Sequence, residues 1–276
     1  MRKTLLFFFS AVLLFAACSK EPVSDAEWVN TSFTVETDAA ATKTVGDASR
    51  IDDLTVLAYD KAGNYLDYIA FTCIYNGDGR FSARGRLVRG VEYTLLFFAA
   101  EQQVYDLHTD GTLTFSDFGQ LNDGARDAFS AVKKVVGGES ASLSVSLKRP
   151  FALLRILSSQ ADQAAAQAKG RTSGVKCQVV LDKVPNKMNL LTGAVEGSAQ
   201  ASFDQVSAYS APELAFAFLP AGESKIYING VVTVTAGTFT SVRNITNIPL
   251  RRNCQTKLEG DFLTTEGSLD ITLETN

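Results

Sequence analysis

The sequence predicts an all-β protein: two tandem β-sandwiches with Greek-key connections and one or two short helices. Three observations carry this. Short strand-like runs recur along the chain between Gly, Asn, Asp and Ser turns, without the fixed period of a solenoid. The 276 residues exceed what one small domain needs and suit two β domains of ordinary size. Lys148-Arg149-Pro150 interrupts the runs, and proline cannot donate to a central ladder, so residues 32–149 and 150–276 read as the two domains.

The chain opens with Arg2 and Lys3, a mostly apolar run from Leu5 to Ala17 too short to span as a mature helix, and then Cys18. Residues 1–17 have the pattern of an export signal, and a cysteine directly after small residues makes it a lipoprotein signal. Cys18 then carries a diacylglycerol, and acyl chains tether the mature protein outside the cytoplasm. The other reading is an ordinary cleaved signal in which Cys18 is incidental.

Residues 18–31 form a polar tether. Ser32-Phe33-Thr34-Val35-Glu36 alternates apolar and polar and predicts a half-buried strand. Residues 38–49 are small and polar, a loop. Leu54–Tyr59 is a strand, Asp60–Asn64 a turn, and Tyr65–Tyr75 the return. After the Asn76–Gly79 turn, Phe81–Leu87 and Tyr93–Ala100 complete a meander. Tyr93–Ala100 is almost wholly apolar, which predicts a central strand covered on both faces. Residues 101–136 read as loops with a short helix near Ala125–Val132. Leu143–Leu147 alternates strictly.

Phe151–Leu157 opens the second half as a strand. Ser159–Ala168 is Ala/Gln-rich and predicts a short helix stopped by Gly170. Further strands are expected at 175–181, 214–219, 225–235, 241–248, 255–262 and 269–273, with Gly/Ser/Ala loops between them.

Chemistry is sparse. His108, the one histidine, lies in a polar turn, so no Ser-His-Asp triad or His-rich metal site assembles, and no phosphate-binding or dinucleotide motif occurs. An enzyme, a cofactor or a metal is not expected. A net charge of −4 and a pI near 5.2 speak against nucleic acid as a partner. Cys73, Cys177 and Cys254 each sit in a strand-like run and read as buried, unreactive core residues, with a single Cys177–Cys254 bridge as a lesser alternative.

Three blocks together resemble one family. They are Phe33-Thr34-Val35 with Ala41-Thr42-Lys43 and Ile51–Asp60; Arg149-Pro150-Phe151-Ala152; and Ile248–Thr264, which contains Pro249, Arg252-Asn253, Gly260 and Leu263-Thr264, with Cys254 where tyrosine is usual. The chain is similar to the Bacteroides-type fimbrillin superfamily over nearly its whole length.

The resemblance implies two transthyretin-like domains and passage to the outer membrane as a lipid-anchored surface protein. It also implies assembly into a fimbria as stalk, tip or anchor. An Arg-specific protease removes the lipidated N-terminus with the first strand, and a neighbour's strand fills the groove. Arg50 is the first arginine after Arg2 and is the candidate cut; otherwise it is a solvated loop residue. Leu269, Ile271 and Leu273 share one face of the last strand and are the candidate donor positions; otherwise that strand is an ordinary last strand of the second domain. Expected partners are other fimbrial subunits and, through the anchor, the outer membrane. A monomeric adhesin that binds a host protein or glycan through aromatics such as Trp28 or Tyr209 is the second reading.

Overall fold

A computed structural model describes residues 26–38, 50–115, 118, 120–171, 174–264 and 267–275. In chain order the strands are β1 (Trp28–Thr37), β2 (Asp53–Tyr59), β3 (Phe71–Gly77), β4 (Arg80–Val88), β5 (Glu92–Ala100), β6 (Thr112–Thr114), β7 (Ala128–Val136), β8 (Ser142–Leu147) and β9 (Phe151–Ser158). Helix α1 (Gln160–Ala168) follows. Then come β10 (Val175–Val184), β11 (Lys187–Asn189), β12 (Val195–Glu196), β13 (Ala199–Ser207), β14 (Glu213–Pro220), β15 (Ile226–Ala236), β16 (Phe239–Leu250), β17 (Cys254–Gly260) and β18 (Leu269–Thr275).

The chain is all-β, built as sandwiches. Sheet β3-β4-β1-β8 faces sheet β2-β5-β7, and sheet β13-β10-β15-β16 faces sheet β14-β9-β17-β18. Each pair encloses its own apolar core. The first core holds Phe33, Val35, Phe81, Leu87, Leu95, Phe97 and Phe129. The second holds Leu154, Ile156, Val179, Leu181, Val232, Ile248 and Leu258.

A third core lies between the sandwiches and gathers Tyr59, Leu96, Phe98, Phe115, Phe151, Leu153, Met188 and Phe218. It explains the apolar density of β5. Successive side chains on a strand point to opposite faces. Tyr93, Leu95, Phe97 and Ala99 therefore enter the first core, and Leu96, Phe98 and Ala100 enter the middle one. β9 divides likewise, with Phe151 and Leu153 in the middle core and Ala152, Leu154 and Ile156 in the second. Strands of 28–100 and 128–147 pair among themselves, as do those of 151–184 and 199–275. The exception is the small sheet β12-β11-β6, in which β6 pairs with β11 and joins the two halves.

Four expectations need correction. The first strand, expected to begin at Ser32 after a tether of residues 18–31, begins at Trp28, because residues 28–31 already pair with Gly85–Val88 of β4. The helix expected near Ala125–Val132 is strand β7, preceded by a 3-10 turn at Gly124–Arg126. Tertiary pairing decides this, because β7 covers the whole edge of β5 from Glu92↔Val136 to Ala100↔Ala128. The Tyr65–Tyr75 strand begins only at Phe71; before it, Leu66 and Ile69 fold into the first core from a turn segment. The segment 199–207, read as loop, is strand β13, whose Ala201 and Phe203 are buried while the rest, the exposed Val206 apart, are small or polar. Helix α1 forms as expected: Ser159 caps it by accepting from the backbone N–H of Asp162.

Candidate functional site

β1 does not belong to the meander around it. It pairs antiparallel with β4 along Trp28–Glu36 and parallel with β8 along Ser32–Thr37. Its inward side chains Phe33 and Val35 are fully buried, and Phe33 packs edge-on against Phe71 and Phe97 with ring centroids 5.9 and 5.2 Å apart. Thr34 and Glu36 point to solvent. Residues 39–49 lie outside the described residues, and so does Cys18. The strand is therefore a central strand contributed by the extreme N-terminal part of the fold, with a partner on each edge. Without it, β4 and β8 would each face an open apolar slot.

Arg50 lies where the described chain resumes, beside β2. It is about half exposed. Its Nη1 donates to Asp123 Oδ1 at 2.9 Å and its Nη2 to Glu101 Oε1 at 2.9 Å, while Nε sits 2.7 Å from Glu101 Oε2. The hydrogen bond to Glu101 is the main influence raising its pKa. Arg50 is thus reachable but held by two carboxylates.

β18 is the edge strand of its sheet and pairs antiparallel with β17 from Cys254↔Thr275 to Gly260↔Leu269. The structure gives Leu269, Ile271 and Leu273 one shared face, as the alternation requires. That face is shallowly covered. Leu269 touches the second core, Leu273 is half-buried, and Ile271 is 38% exposed.

The second and third motif blocks are packed into the scaffold. Arg149 is 2% exposed, and its guanidinium meets the buried Asp127 in two bonds, Nε to Oδ1 at 2.6 Å and Nη2 to Oδ2 at 2.9 Å. It lies over Phe129 at 5.2 Å and Phe218 at 5.6 Å, one ring from each half. Arg252 Nη2 donates across the halves to Ser130 Oγ at 3.0 Å, and burial lowers its pKa. The backbone N–H of Asn253 donates to the Phe151 carbonyl at 3.0 Å. Farther along, Asp162 on α1 accepts from the backbone N–H groups of Phe262 and Leu263 and from the hydroxyls of Ser158 and Thr264. These residues hold joints together and leave no reactive group open.

Cys177 and Cys254 are buried and Cys73 is half-buried; all three are free, so the Cys177–Cys254 bridge is not formed. Burial pushes the Cys177 thiol up to about 12 and the Cys73 thiol to about 11. Tyr59, whose buried hydroxyl has no partner among the described residues, is also pushed up by burial, to about 12. A raised folded pKa means that the unfolded chain gives up its proton first. The two thiols therefore contribute stability in full below pH ~8.5, the ordinary thiol value, and Tyr59 below pH ~10, the ordinary phenol value; each loses it progressively as pH rises toward its folded value. Each such group contributes a slope of roughly 1.4 kcal/mol per pH unit in that window. Urea midpoints measured from pH 8 to pH 11 should fall steadily, and Cys177→Val should flatten the profile. A flat profile in the unmodified chain would contradict the burial of these groups. Thiol labelling at pH 8 should be slow before denaturation and fast after it.

The remaining sequence candidates are quickly placed. His108 is exposed at a turn closed by the Gly111 N–H on its carbonyl. Tyr209, expected to be exposed, is half-buried against the second core, and its hydroxyl donates to the Gln163 carbonyl. Trp28 opens β1 and meets Tyr68 edge-on at 6.4 Å. Among the described residues, no group of three or more His, Cys, Asp and Glu could hold a metal ion, and no helix is long and apolar enough to cross a membrane.

Several solved structures share this fold. A fimbrial assembly protein from Parabacteroides distasonis matches with a TM-score of 0.52 and 12% identity, over 91% of this chain and 100% of that one. The tip fimbrial protein Mfa3 from Porphyromonas gingivalis, with a C-terminal truncation, matches with a TM-score of 0.52 and 10% identity, over 90% and 100%. A Bacteroides ovatus protein with a provisional cell-adhesion assignment matches with a TM-score of 0.52 and 15% identity, over 91% and 98%. At these identities the likeness is one of fold. No curated protein matches the sequence. Residues 24–276 match a family described as a family of unknown function, DUF6562, and the chain belongs to that family.

Proposed function

We propose that this chain is a structural subunit of a surface fimbria and not an enzyme. In this reading it is exported as a lipoprotein anchored through Cys18 to the outer membrane and assembled by strand exchange with other fimbrial subunits after a cut at Arg50. The two units of residues 32–149 and 150–276 meet at Arg149. The observation that carries the reading is the placement of β1, a central strand bounded by β4 and β8 that the chain supplies from its N-terminal end. Cutting at Arg50 would release it together with the anchor. An unpaired pair of edges flanking an apolar slot is a template for another chain's strand.

The fold is shared with a fimbrial assembly protein and with the tip fimbrial protein Mfa3, which supports the same class of role. β18 is the donor in this scheme. It is an edge strand whose side chains are only partly covered, so detaching it sacrifices little of the second core.

The test combines the mature N-terminus with assembly. Mass spectrometry of protein from the cell surface should find a chain beginning at Ile51, and native gels should show a ladder of heat-stable oligomers. Ile271→Asp should abolish the ladder and leave the monomer's melting curve nearly unchanged, because the side chain is exposed in the monomer. If Ile271→Asp unfolds the monomer, β18 is an obligate core strand and the donor assignment fails. Arg50→Ala should keep the anchored, unassembled form; oligomers from that variant would place the cut elsewhere.

A further inference from the structure

The outer face of sheet β3-β4-β1-β8 carries an open cleft of about 860 Å³. Strand register lays out its polar groups. Arg84 of β4 stands between Ser32 of β1 and Thr72 of β3, and Arg86 stands opposite Asn30. Trp28 and Tyr68 set their rings at 90° to form a corner, and Arg86 lies 5.8 Å from the Trp28 ring centroid. Tyr68 is 56% exposed and offers a free ring face.

The charge pattern separates this cleft from ordinary surface. At the two ends of β4, Arg80 pairs with Glu36 and Arg89 with Glu27. Between them Arg84 and Arg86 form no ion pair with any described residue, and no acidic side chain lines the cleft among the described residues. Two unneutralised guanidinium groups select an anion, and their fork geometry suits carboxylate or sulfate. Flat aromatic faces take the C–H face of a pyranose, while the short amide and hydroxyl groups of Asn30, Ser32 and Thr72 match sugar hydroxyls.

We propose that this cleft binds an acidic oligosaccharide, with Tyr68 as the stacking ring and Arg84 and Arg86 as the anion contacts. The site does not depend on strand exchange. It does depend on β1, which supplies Trp28, Asn30 and Ser32. If residues up to Arg50 are removed in assembly, the cleft is dismantled, so a chain either holds its saccharide or accepts a neighbour's strand.

Trp28 is the chain's one tryptophan, and its emission reports on this cleft and on the rim of the first core against which it packs. The full chain with β1 in place is titrated with oligogalacturonate, with neutral galacto-oligosaccharide and with an oligo-glutamate peptide. Calorimetry accompanies the fluorescence, and melting curves verify the fold of each variant. Saturable quenching by oligogalacturonate only, weakened by salt, is expected. Binding should fall about tenfold in Arg84→Gln and again in Arg86→Gln, which is the loss of one charge-assisted contact each. Tyr68→Ala should weaken it comparably. No saturable response to oligogalacturonate, or unchanged affinity in the arginine double variant, overturns the site. Equal or tighter binding of oligo-glutamate would assign the cleft to an acidic peptide and overturn the saccharide.

Discussion

Arg149→Ala is expected to destabilise the protein by about 3–5 kcal/mol, the cost of stranding a buried charge. The substitution leaves Asp127, 1% exposed, without its guanidinium partner, and strips two aromatic rings of their cation. One ring belongs to each half, so the loss falls on the joint. Urea unfolding should shift to a lower midpoint and broaden or split as the halves decouple. Arg149→Lys should recover only part, because an ammonium cannot reproduce the two parallel bonds. Replacing the pair together by Met and Leu should restore most of the stability, since a buried ion pair is often matched by an apolar pair of similar volume. Added salt should change the effect little, in contrast to the exposed Arg50 cluster. A single-variant shift under about 1 kcal/mol would mean that water reaches Asp127 and the joint is not sealed.

Deleting the chain through Arg50 is expected to have an effect of the same order on the first sandwich alone. Phe33 and Val35 are buried completely, and losing them removes roughly 1.5–3 kcal/mol each before any ladder bond is counted. That is a large share of the about 5–15 kcal/mol by which a domain is stable. Amide exchange should accelerate in β4 and β8 and stay slow in β10 and β15. A synthetic peptide of residues 28–37 should restore protection, because it supplies both ladders and both anchors. A truncated chain that stays monomeric with unchanged exchange would show that β1 is dispensable and would remove the basis of the strand-exchange scheme.

Much of the fold was legible from local pattern. Alternation in 32–36, 143–147 and 175–181 marks strands because period two puts one face in a core. The Ala/Gln run and the stop at Gly170 mark α1. β5 announced two covered faces by being apolar at almost every position, although not what covered them; the second cover is the middle core, drawn partly from residues more than fifty positions away. β7 was misread because Ala125–Val132 has no strong local preference and its pairing with β5 decides. β6, β11 and β12 are two or three residues long, too short for any periodicity to register.

For the site the division is similar. Composition and spacing alone predicted an all-β chain with an N-terminal export pattern and a single histidine, because these are properties of the residues themselves. The family-like blocks and the candidate cut pointed to positions, and tertiary packing decided what surrounds them: Arg149 is a buried anchor, and Arg50 is held by carboxylates 51 and 73 positions away. The insertion of β1 between β4 and β8, and the row of Thr72, Arg84 and Ser32 across three strands, follow from register between distant segments. Register is set by which faces must be buried together, and that is a property of the assembled sheets and of no single stretch of chain.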